Sequence, residues 1–427
     1  MRFVTGATTG ILLMGICSGQ AEDLIIQSFS SAGELIFNEV TDATEYRIEW
    51  SSSPSGSWTN FATAGAELDR ISASGSGVVT RLVPMLYRVV ATVASQAPAG
   101  MSLIPAGSFQ MGNTYGSTVN PSLGYPSNVE PEELPVHTAT TSAFYIDKFE
   151  VTNEKMRQIL QYAFDNSFIG GTTNIVINLE GDVQILLNLG GSSELNFSAG
   201  VFSVDPGRED FPCIQISWFG AVAFCNYRSD MEGFSRPCNL TDWSLDQGMN
   251  GYRLPTEAEW EKAARGGLEG NNFPWPSLGG IDAWHIDGTR ANYKQSGDPF
   301  EVGTKQTTPV GYYDGGQTPA GLDMANGYGL YDMAGNVWEW CHDYFGREWY
   351  KDPRASITNT PGPPWEETST NIYFPHLYDP PWGQHAVRGA SWNNIASDLR
   401  CSRRSRVGGF MPDNTRDDLG FRCVRNF

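Results

Sequence analysis

The sequence predicts an α+β protein in which a small all-β sandwich precedes a larger domain of low secondary-structure content. Residues 24–93 alternate short apolar runs with Ser/Gly turns at the spacing of a β-sandwich. Farther along, capping residues mark three short helices. The 427 residues include 47 Gly and 25 Pro, and 12% are aromatic. This composition favours a compact, loop-rich fold over a helix bundle.

Residues 1–21 have the features of a secretory signal peptide. A single arginine precedes the apolar stretch 11–16, and small residues lead up to Ala21. We expect cleavage after Ala21 and a secreted, periplasmic or cell-surface protein. A lipid anchor at Cys17 is not expected, because an isoleucine stands where a lipoprotein signal needs a small residue. No other segment reaches the roughly 20 apolar residues of a membrane span, so no transmembrane segment is predicted.

The net charge is −20 at pH 7. Nucleic acids and anionic membranes are themselves polyanions and would repel such a chain, so neither is expected as a partner. Solubility accounts for most of the acidic excess, and calcium could use a few of the carboxylates.

The order of the sequence patterns along the chain indicates two domains after the signal peptide. Residues 24–94 look like a degenerate fibronectin type III module, with 46–58 and 86–93 as the informative runs. Such a sandwich suits a spacer or interaction role, since no catalytic constellation appears in it. The linker 94–100 (ASQAPAG) predicts that the second domain covers residues 101–427.

Within the second domain, capping patterns predict three helices. Thr152 precedes apolar residues at i, i+3, i+4 and i+7 spacing, and Ser217 precedes a second apolar run. Thr256 opens a capping box, and Gly266 ends that third helix. Residues 167–207 alternate like strands and predict an inserted β-hairpin or lobe.

Four sequence blocks make the second domain recognisable. They are residues 252–267 (YRLPTEAEWEKAARGG), 326–343 (NGYGLYDMAGNVWEWCHD), 387–392 (VRGASW) and 419–425 (LGFRCVR). In this order they resemble the formylglycine-generating enzyme, or sulfatase-modifying factor, family. The resemblance covers most of residues 101–427, and residues 101–112 and 135–152 match the family's opening hairpin. It implies a C-type lectin-like fold, stabilised by calcium and disulfides, and an activity that oxidises a substrate cysteine.

The resemblance implies two calcium sites, which would combine carboxylate, amide and backbone oxygens. The alternative for both is that these residues only hydrogen-bond turns. The second assignment is the looser match, since its loop differs in length from the family's. The first set is Asp332, Gly335, Val337 and Glu339, and the second is Asn292, Tyr293, Asp298 and Phe300.

Six cysteines follow the signal peptide, and an even number in an exported chain suggests disulfides with 15 possible pairings. The family resemblance favours a bond between Cys225 and Cys423. Cys401 also matches a structural cysteine of the family, but its usual partner is missing here. It must therefore pair elsewhere or stay free.

The resemblance also identifies where oxidation chemistry would occur. In the family enzyme, two cysteines after a GGS-aromatic motif hold copper(I), which prefers soft thiolates. Here residues 389–401 read GASWNNIASDLRC: Asn394 stands at the first active-cysteine position, and no cysteine replaces the second. Copper is therefore not expected. The family's substrate groove is matched by Trp338, Ser391, Arg404 and Asp418.

Other chemistries find less support. Ergothioneine-type sulfoxide synthases share this domain, but they take an iron-binding His triad from a helical N-terminal domain. The five histidines here are scattered without HxxxHxE spacing, so ordinary surface or hydrogen-bonded roles are expected. No GxSxG elbow or Gly-rich phosphate loop appears. The arginines of 400–406 either neutralise nearby acids or line the groove.

Together these patterns predict an exported, calcium-stabilised protein of the formylglycine-generating enzyme family. Its groove would bind a peptide, protein or glycan without copper-thiolate oxidation, as in a pseudoenzyme. The alternative is an active oxidoreductase that converts a sulfatase-type cysteine to formylglycine or performs a related oxidation. The missing cysteine pair favours the first interpretation.

Overall fold

A computed structural model describes the side chains of residues 97–114, 130–276, 286–301, 306–364, 383–404 and 411–427. Within residues 1–96 it describes only the positions of strands. The chain divides into two units, Met1–Gln96 and Ala97–Phe427.

The first unit contains eight described strands in two sheets. One sheet has the order β1-β2-β8-β5-β6 and the other has the order β3-β4-β7. The signal peptide and the fibronectin-type module stay predictions, and much of the segment 46–58 lies outside the described residues. The strands are β1 (Phe3–Thr5), β2 (Leu12–Ser18), β3 (Ile26–Phe29), β4 (Glu34–Asn38), β5 (Ala43–Trp50), β6 (Ile71–Ser72), β7 (Val78–Leu82) and β8 (Tyr87–Val93).

In its described residues, the second unit combines three α-helices with short strands and long ordered loops, which confirms the predicted α+β fold of low secondary-structure content. The helices are α1 (Asn153–Asp165), α2 (Trp218–Met231) and α3 (Glu257–Arg265). The strands up to α2 are β9 (Met101–Ile104), β10 (Gly107–Met111), β11 (His137–Thr141), β12 (Phe144–Asp147), β13 (Ile169–Gly171), β14 (Ile175–Asn178), β15 (Ile185–Asn188), β16 (Leu195–Ser198) and β17 (Val201–Val204). Those that follow are β18 (Tyr252–Arg253), β19 (Trp338–Tyr344), β20 (His385–Arg388), β21 (Leu419–Gly420) and β22 (Val424–Asn426).

All three predicted helix starts are confirmed. Thr152, Ser217 and Thr256 each accept a backbone N–H with the side-chain oxygen, at 3.2, 3.0 and 3.2 Å. Thr256 and Glu259 form the complete capping box, which satisfies two N–H groups that a helix start otherwise leaves unpaired. Gly266 ends α3 in the left-handed conformation, with φ 60°.

The sheets follow the predicted hairpins. β10 pairs with β11, and β9 pairs with β12 inside the four-stranded sheet β18-β22-β12-β9. The inserted segment forms the sheets β13-β14-β15 and β16-β17, as its alternating pattern predicts. A further sheet, β20-β19-β21, lies where the four recognised sequence blocks meet.

Large aromatic side chains fill the core beneath these sheets. Trp218, Trp260 and Trp340 are at most 2% exposed, and the apolar stripe of α1 is buried as predicted. Burial of one large apolar side chain stabilises a fold by about 1.5–3 kcal/mol. The residues Trp338–Cys341 of β19 are part of this buried core. Among the described residues, no helix is long and apolar enough to cross a membrane.

Candidate functional site

Strand β19 organises the candidate site. It pairs antiparallel with β20, placing Glu339 opposite Arg388, and parallel with β21, placing Trp338 beside Leu419. Ser391 follows β20 and Asp418 precedes β21. Both residues therefore reach the Trp338 end of β19.

Three of the four predicted groove residues are indeed close together. The Ser391 hydroxyl lies 3.1 Å from Asp418 Oδ2 and 2.8 Å from Asn394 Oδ1, while the backbone N–H of Trp338 donates to the Asp418 carbonyl at 2.8 Å. Arg416 donates to both Asp418 carboxylate oxygens, at 2.7 and 3.0 Å. Ser391 and Asp418 are almost completely buried, so they support the surface of the site rather than form it.

The carboxamide of Asn394 ties this turn together. Its Oδ1 accepts from both the N–H and the hydroxyl of Ser391, and its Nδ2 lies 3.4 Å from Asp398 Oδ2. The next cysteine along the chain, Cys401, is fully buried, and burial raises its pKa to about 12. A neutral buried thiol and an amide oxygen do not supply the two thiolates that copper(I) requires. The residues present therefore do not fit copper.

Arg404, the fourth predicted groove residue, has a different role. It is fully buried and forms two hydrogen bonds with the Glu257 carboxylate, at 2.7 and 2.8 Å. Its guanidinium also packs on the rings of Phe345 and Tyr350. In this structure Arg404 is a buried ion-pair partner, because a buried charge needs a fixed partner, and its groove assignment stays a prediction.

The neighbouring arginines also neutralise acids. Arg400 pairs with Glu133, and Arg403 lies 3.3 Å from Glu130. This is the first of the two roles that the sequence left open. Arg406 lies outside the described residues.

The first predicted calcium set does not fit a metal site as it stands. Both oxygens of the fully buried Glu339 carboxylate accept from Arg422 at 2.7 Å, and one also accepts from the Trp260 indole at 2.8 Å. Asp332 Oδ2 accepts from the Gly311 N–H at 2.6 Å. Glu339 is thus an ion-pair partner of Arg422 in this structure, and its calcium assignment stays a prediction. In the parts of the chain described here, no three Asp, Glu, His or Cys side chains form a group that could hold a metal ion.

A third carboxylate that the sequence did not single out lies beside this pair. Glu150 is buried and accepts from the Asn336 side chain at 2.7 Å. Burial, and then the negative charges of Asp332 and Glu339, raise its pKa well above the ordinary value. Burial likewise raises the pKa of Asp332 to about 6. The sequence could have indicated this buried carboxylate, because Glu150 lies in the segment FYIDKFEV, most of whose residues are apolar.

The second calcium set fits better. Asn292 Oδ1 is buried and has no hydrogen-bond partner in the described part of the chain, which is costly unless a donor or a cation interacts with it. The carboxylate of Asp298 is also buried and accepts from the Phe300 N–H at 2.8 Å. The carbonyl of Tyr293 is nearby in the chain. The Asn292 carbonyl accepts from the Asn336 N–H at 3.0 Å, so the two predicted sets adjoin.

The cysteines predicted to pair are neighbours. Cys225 Sγ on α2 and Cys423 Sγ beside β22 lie 3.5 Å apart, and both are fully buried. Both are present as free thiols, so the disulfide stays a prediction.

Two of the five histidines meet, although they are 43 residues apart. His385 Nδ1 lies 2.9 Å from the His342 carbonyl oxygen, and the His385 ring stacks on Trp218 with ring centres 3.8 Å apart. They line a cavity of about 790 Å³ at the Tyr344 end of β19. Sequence reasoning missed this cavity because its walls come from segments far apart in the chain.

With this geometry established, comparison with known proteins identifies the family. The model of the sulfatase-modifying factor enzyme 1-like domain matches residues 87–427. The chain therefore belongs to this family, that of the formylglycine-generating enzymes.

Relatives in this family carry different names. The chain is 30% identical over 343 residues to the formylglycine-generating enzyme of Thermomonospora curvata, covering 76% of this chain and 93% of that one. It is 28% identical over 344 residues to the inactive C-alpha-formylglycine-generating enzyme 2 of Bos taurus, covering 76% and 87%. It is also 28% identical over 326 residues to the serine/threonine-protein kinase pkn1 of Chlamydia pneumoniae, covering 76% of this chain. The chain spans only 38% of the length of that kinase.

Among solved structures, PvdO from Pseudomonas aeruginosa is similar, with 22% sequence identity and a TM-score of 0.47. The alignment covers 77% of this chain and 94% of PvdO.

Proposed function

We propose that this chain is an exported, calcium-stabilised binding protein of the formylglycine-generating enzyme family. Its groove beside Ser391 and Asp418 would recognise a peptide, a protein segment or a glycan, without copper-thiolate oxidation. The observation that carries the proposal is the carboxamide of Asn394. It stands where the family enzyme needs a thiolate and holds the turn through Ser391.

The exposed neighbours of this cluster supply the binding chemistry. Asn393 is exposed, the Trp392 ring is partly exposed, and 44% of the Arg416 side chain is accessible. An indole, an amide and a guanidinium can together contact an apolar surface and several hydrogen-bonding groups. The buried Ser391 and Asp418 fix the positions of these residues. This division between support and contact suits recognition of an extended polar ligand.

Calcium would bind at the second predicted set. Asn292 Oδ1 lacks a partner and Asp298 supplies a buried carboxylate, with the carbonyls of Tyr293 and Phe300 as further oxygens of the kind that calcium prefers. Calcium would supply no catalytic chemistry here. It would stabilise loops that few regular hydrogen bonds hold.

The alternative is an oxidoreductase that acts on a sulfatase-type cysteine. Family membership does not decide between a binding protein and an oxidoreductase. The relative at 30% identity is named a formylglycine-generating enzyme, and the one at 28% identity is named an inactive one. Turnover of a cysteine peptide would support the alternative. Such turnover would require thiol or metal ligands outside the segment around Asn394.

Binding to peptide and glycan arrays tests the proposal. The purified full chain should bind a restricted set of peptides or glycans, and Arg416→Ala should weaken that binding about tenfold, as for loss of a charged hydrogen bond. Arg157→Ala, which removes a partly exposed arginine on α1, is the matched control and should bind like the wild type. Absence of any array ligand, or equal binding by Arg416→Ala, would contradict the groove assignment. N-terminal sequencing of exported protein should begin at Glu22.

A further inference from the structure

The cavity at the Tyr344 end of β19 is separate from the predicted groove residues Trp338, Ser391 and Asp418, which lie at the other end of this strand. Its volume is about 790 Å³. Aromatic and imidazole rings form much of its wall, namely Trp218, Trp243, Tyr344, Trp349, His342 and His385. Ring-lined cavities bind ligands that combine an apolar or delocalised surface with a few polar contacts.

The charged groups that line this cavity give it a negative balance. Asp242 and Asp246 are both exposed at its edge. Arg354 also lines it, but its guanidinium forms an ion pair with Asp352 at 2.7 Å. Burial lowers the pKa of His342 to about 3, so that ring is neutral at pH 7. The cavity therefore repels anions and attracts cations.

Two buried polar atoms of the lining lack hydrogen-bond partners among the residues that the structure describes. One is the hydroxyl oxygen of Thr360, a residue that is 4% exposed. The other is Nδ1 of His342. A hydroxyl oxygen and a neutral imidazole nitrogen can both accept from an N–H donor. A ligand that brings N–H groups would satisfy both atoms.

We propose that this cavity binds an organic cation bearing N–H groups, either a guanidinium or an ammonium. The wall already accommodates one such group, because the guanidinium carbon of Arg354 lies 5.2 Å from the ring centre of Trp349. Cation–π attraction of this kind is strongest for tryptophan. The ligand is either a free amine or guanidine, or a basic side chain presented by a peptide.

Titration of the intrinsic tryptophan fluorescence of the full chain, checked by calorimetry, tests this proposal. The probes are agmatine, N-acetyl-arginine amide and N-acetyl-citrulline amide, which replaces guanidinium with an uncharged urea of nearly the same shape. We expect the citrulline compound to bind at least about tenfold more weakly, since it lacks the charge. Binding of the cations should weaken as sodium chloride rises from roughly 50 to 300 mM.

Variants locate the site without disturbing the core. The double variant Asp242→Asn/Asp246→Asn should weaken arginine-amide binding about fivefold, in line with partly exposed charge pairs. Thr360→Val keeps the side-chain shape and should weaken it about threefold by removing one hydrogen bond. Asp165→Asn, an exposed charge change at the end of α1, is the matched control and should change nothing. Circular dichroism confirms that each variant is folded.

Each result of these binding measurements either supports or overturns the proposal. Equal affinity for agmatine and the arginine amide supports a free cation as ligand, and tighter binding of the amide supports a peptide. Equal binding of the citrulline compound, full affinity in the aspartate double variant, or no binding of either cation would overturn the proposal. Binding of neutral monosaccharides in place of the cations would also overturn it and would assign the cavity to glycans.

Discussion

Helix α3 and the region around the loop 332–339 both bury several carboxylates, but they balance them differently. On α3, Glu257 pairs with Arg404, and Glu261 pairs with Arg265 and Arg388. Around the loop, the buried carboxylates of Glu150 and Glu339 and the half-buried carboxylate of Asp332 all interact with Arg422. The carboxylates of α3 are therefore matched by arginines, whereas the loop region carries excess negative charge.

The pKa shifts follow this balance. Burial alone raises the pKa of Glu261, but the guanidinium groups of Arg265 and Arg388 outweigh it and leave the pKa below its ordinary value. In the loop region the pKa of Glu150 is instead raised, by burial and by neighbouring negative charges. Removing a carboxylate should therefore lower the stability of the protein when it is on α3 and raise it when it is in the loop region.

Glu261→Gln should have the largest effect. It leaves two buried guanidinium groups short of a partner, and breaking a buried pair typically costs about 3–5 kcal/mol. Urea unfolding measures this loss in the free energy of unfolding. Glu154→Gln, which breaks the more exposed pair with Arg157 on α1, is the control and should cost less than about 1 kcal/mol. Equal losses in the two variants would contradict a special role for the α3 network.

Calcium should stabilise the protein. At about 100 times its dissociation constant, a ligand of the folded state adds about 2.7 kcal/mol to the free energy of unfolding. Thermal unfolding in calcium and in EGTA measures this difference. Asp298→Asn should remove most of it if the second set binds the ion. A response to calcium that survives in Asp298→Asn would move the ion to other ligands.

Asp332→Asn should stabilise the protein by about 1–3 kcal/mol at pH 7.5, because it removes a carboxylate whose pKa burial raises to about 6. The folded state holds this proton more tightly than the unfolded state. The group's contribution to stability therefore falls as pH rises from about 4 to about 6, and the variant lacks this fall. An equal effect in EGTA and in calcium is expected if Asp332 is not a ligand. Destabilisation only in calcium would restore it as one.

His342 should give the opposite pH dependence, a contribution to stability that is lost as the pH falls. His342 has a pKa lowered to about 3, mainly by burial, against about 6.5 when unfolded. The unfolded state binds more protons between these values, so this group's contribution is complete above pH 6.5. It is lost as pH falls, at up to about 1.4 kcal/mol per pH unit. His342→Gln should show a shallower acid loss than wild type in urea unfolding between pH 6.5 and 4. Parallel pH profiles would show that His342 is not buried in its neutral form.

The sequence predicted the local features well. Thr152, Ser217 and Thr256 each mark a helix start by a rule that acts within one turn, so the structure had little freedom to differ. The strands of the inserted segment 167–207 follow from alternation in the same way, whereas the opening hairpin was predicted through the family resemblance. The meeting of Trp338, Ser391 and Asp418 was also predicted, but only through the family resemblance.

The roles of charged residues were less predictable. Arg404 and Glu339 were assigned to the groove and to calcium, yet their partners Glu257 and Arg422 lie 147 and 83 residues away in the chain. A local pattern does not encode which distant charge a buried group will meet. The ring-lined cavity was missed for the same reason.

Oxygen consumption on a cysteine-containing sulfatase peptide tests the central claim most directly. The full chain would be incubated with copper(I), reductant and peptide, with the Thermomonospora curvata relative as positive control. We expect no turnover above the rate of free copper and no stoichiometric copper retained by the chain, because the family resemblance places the Asn394 amide where a thiolate is needed. Formylglycine in the peptide, detected by mass spectrometry together with oxygen uptake, would contradict this account and establish the chain as an oxidase.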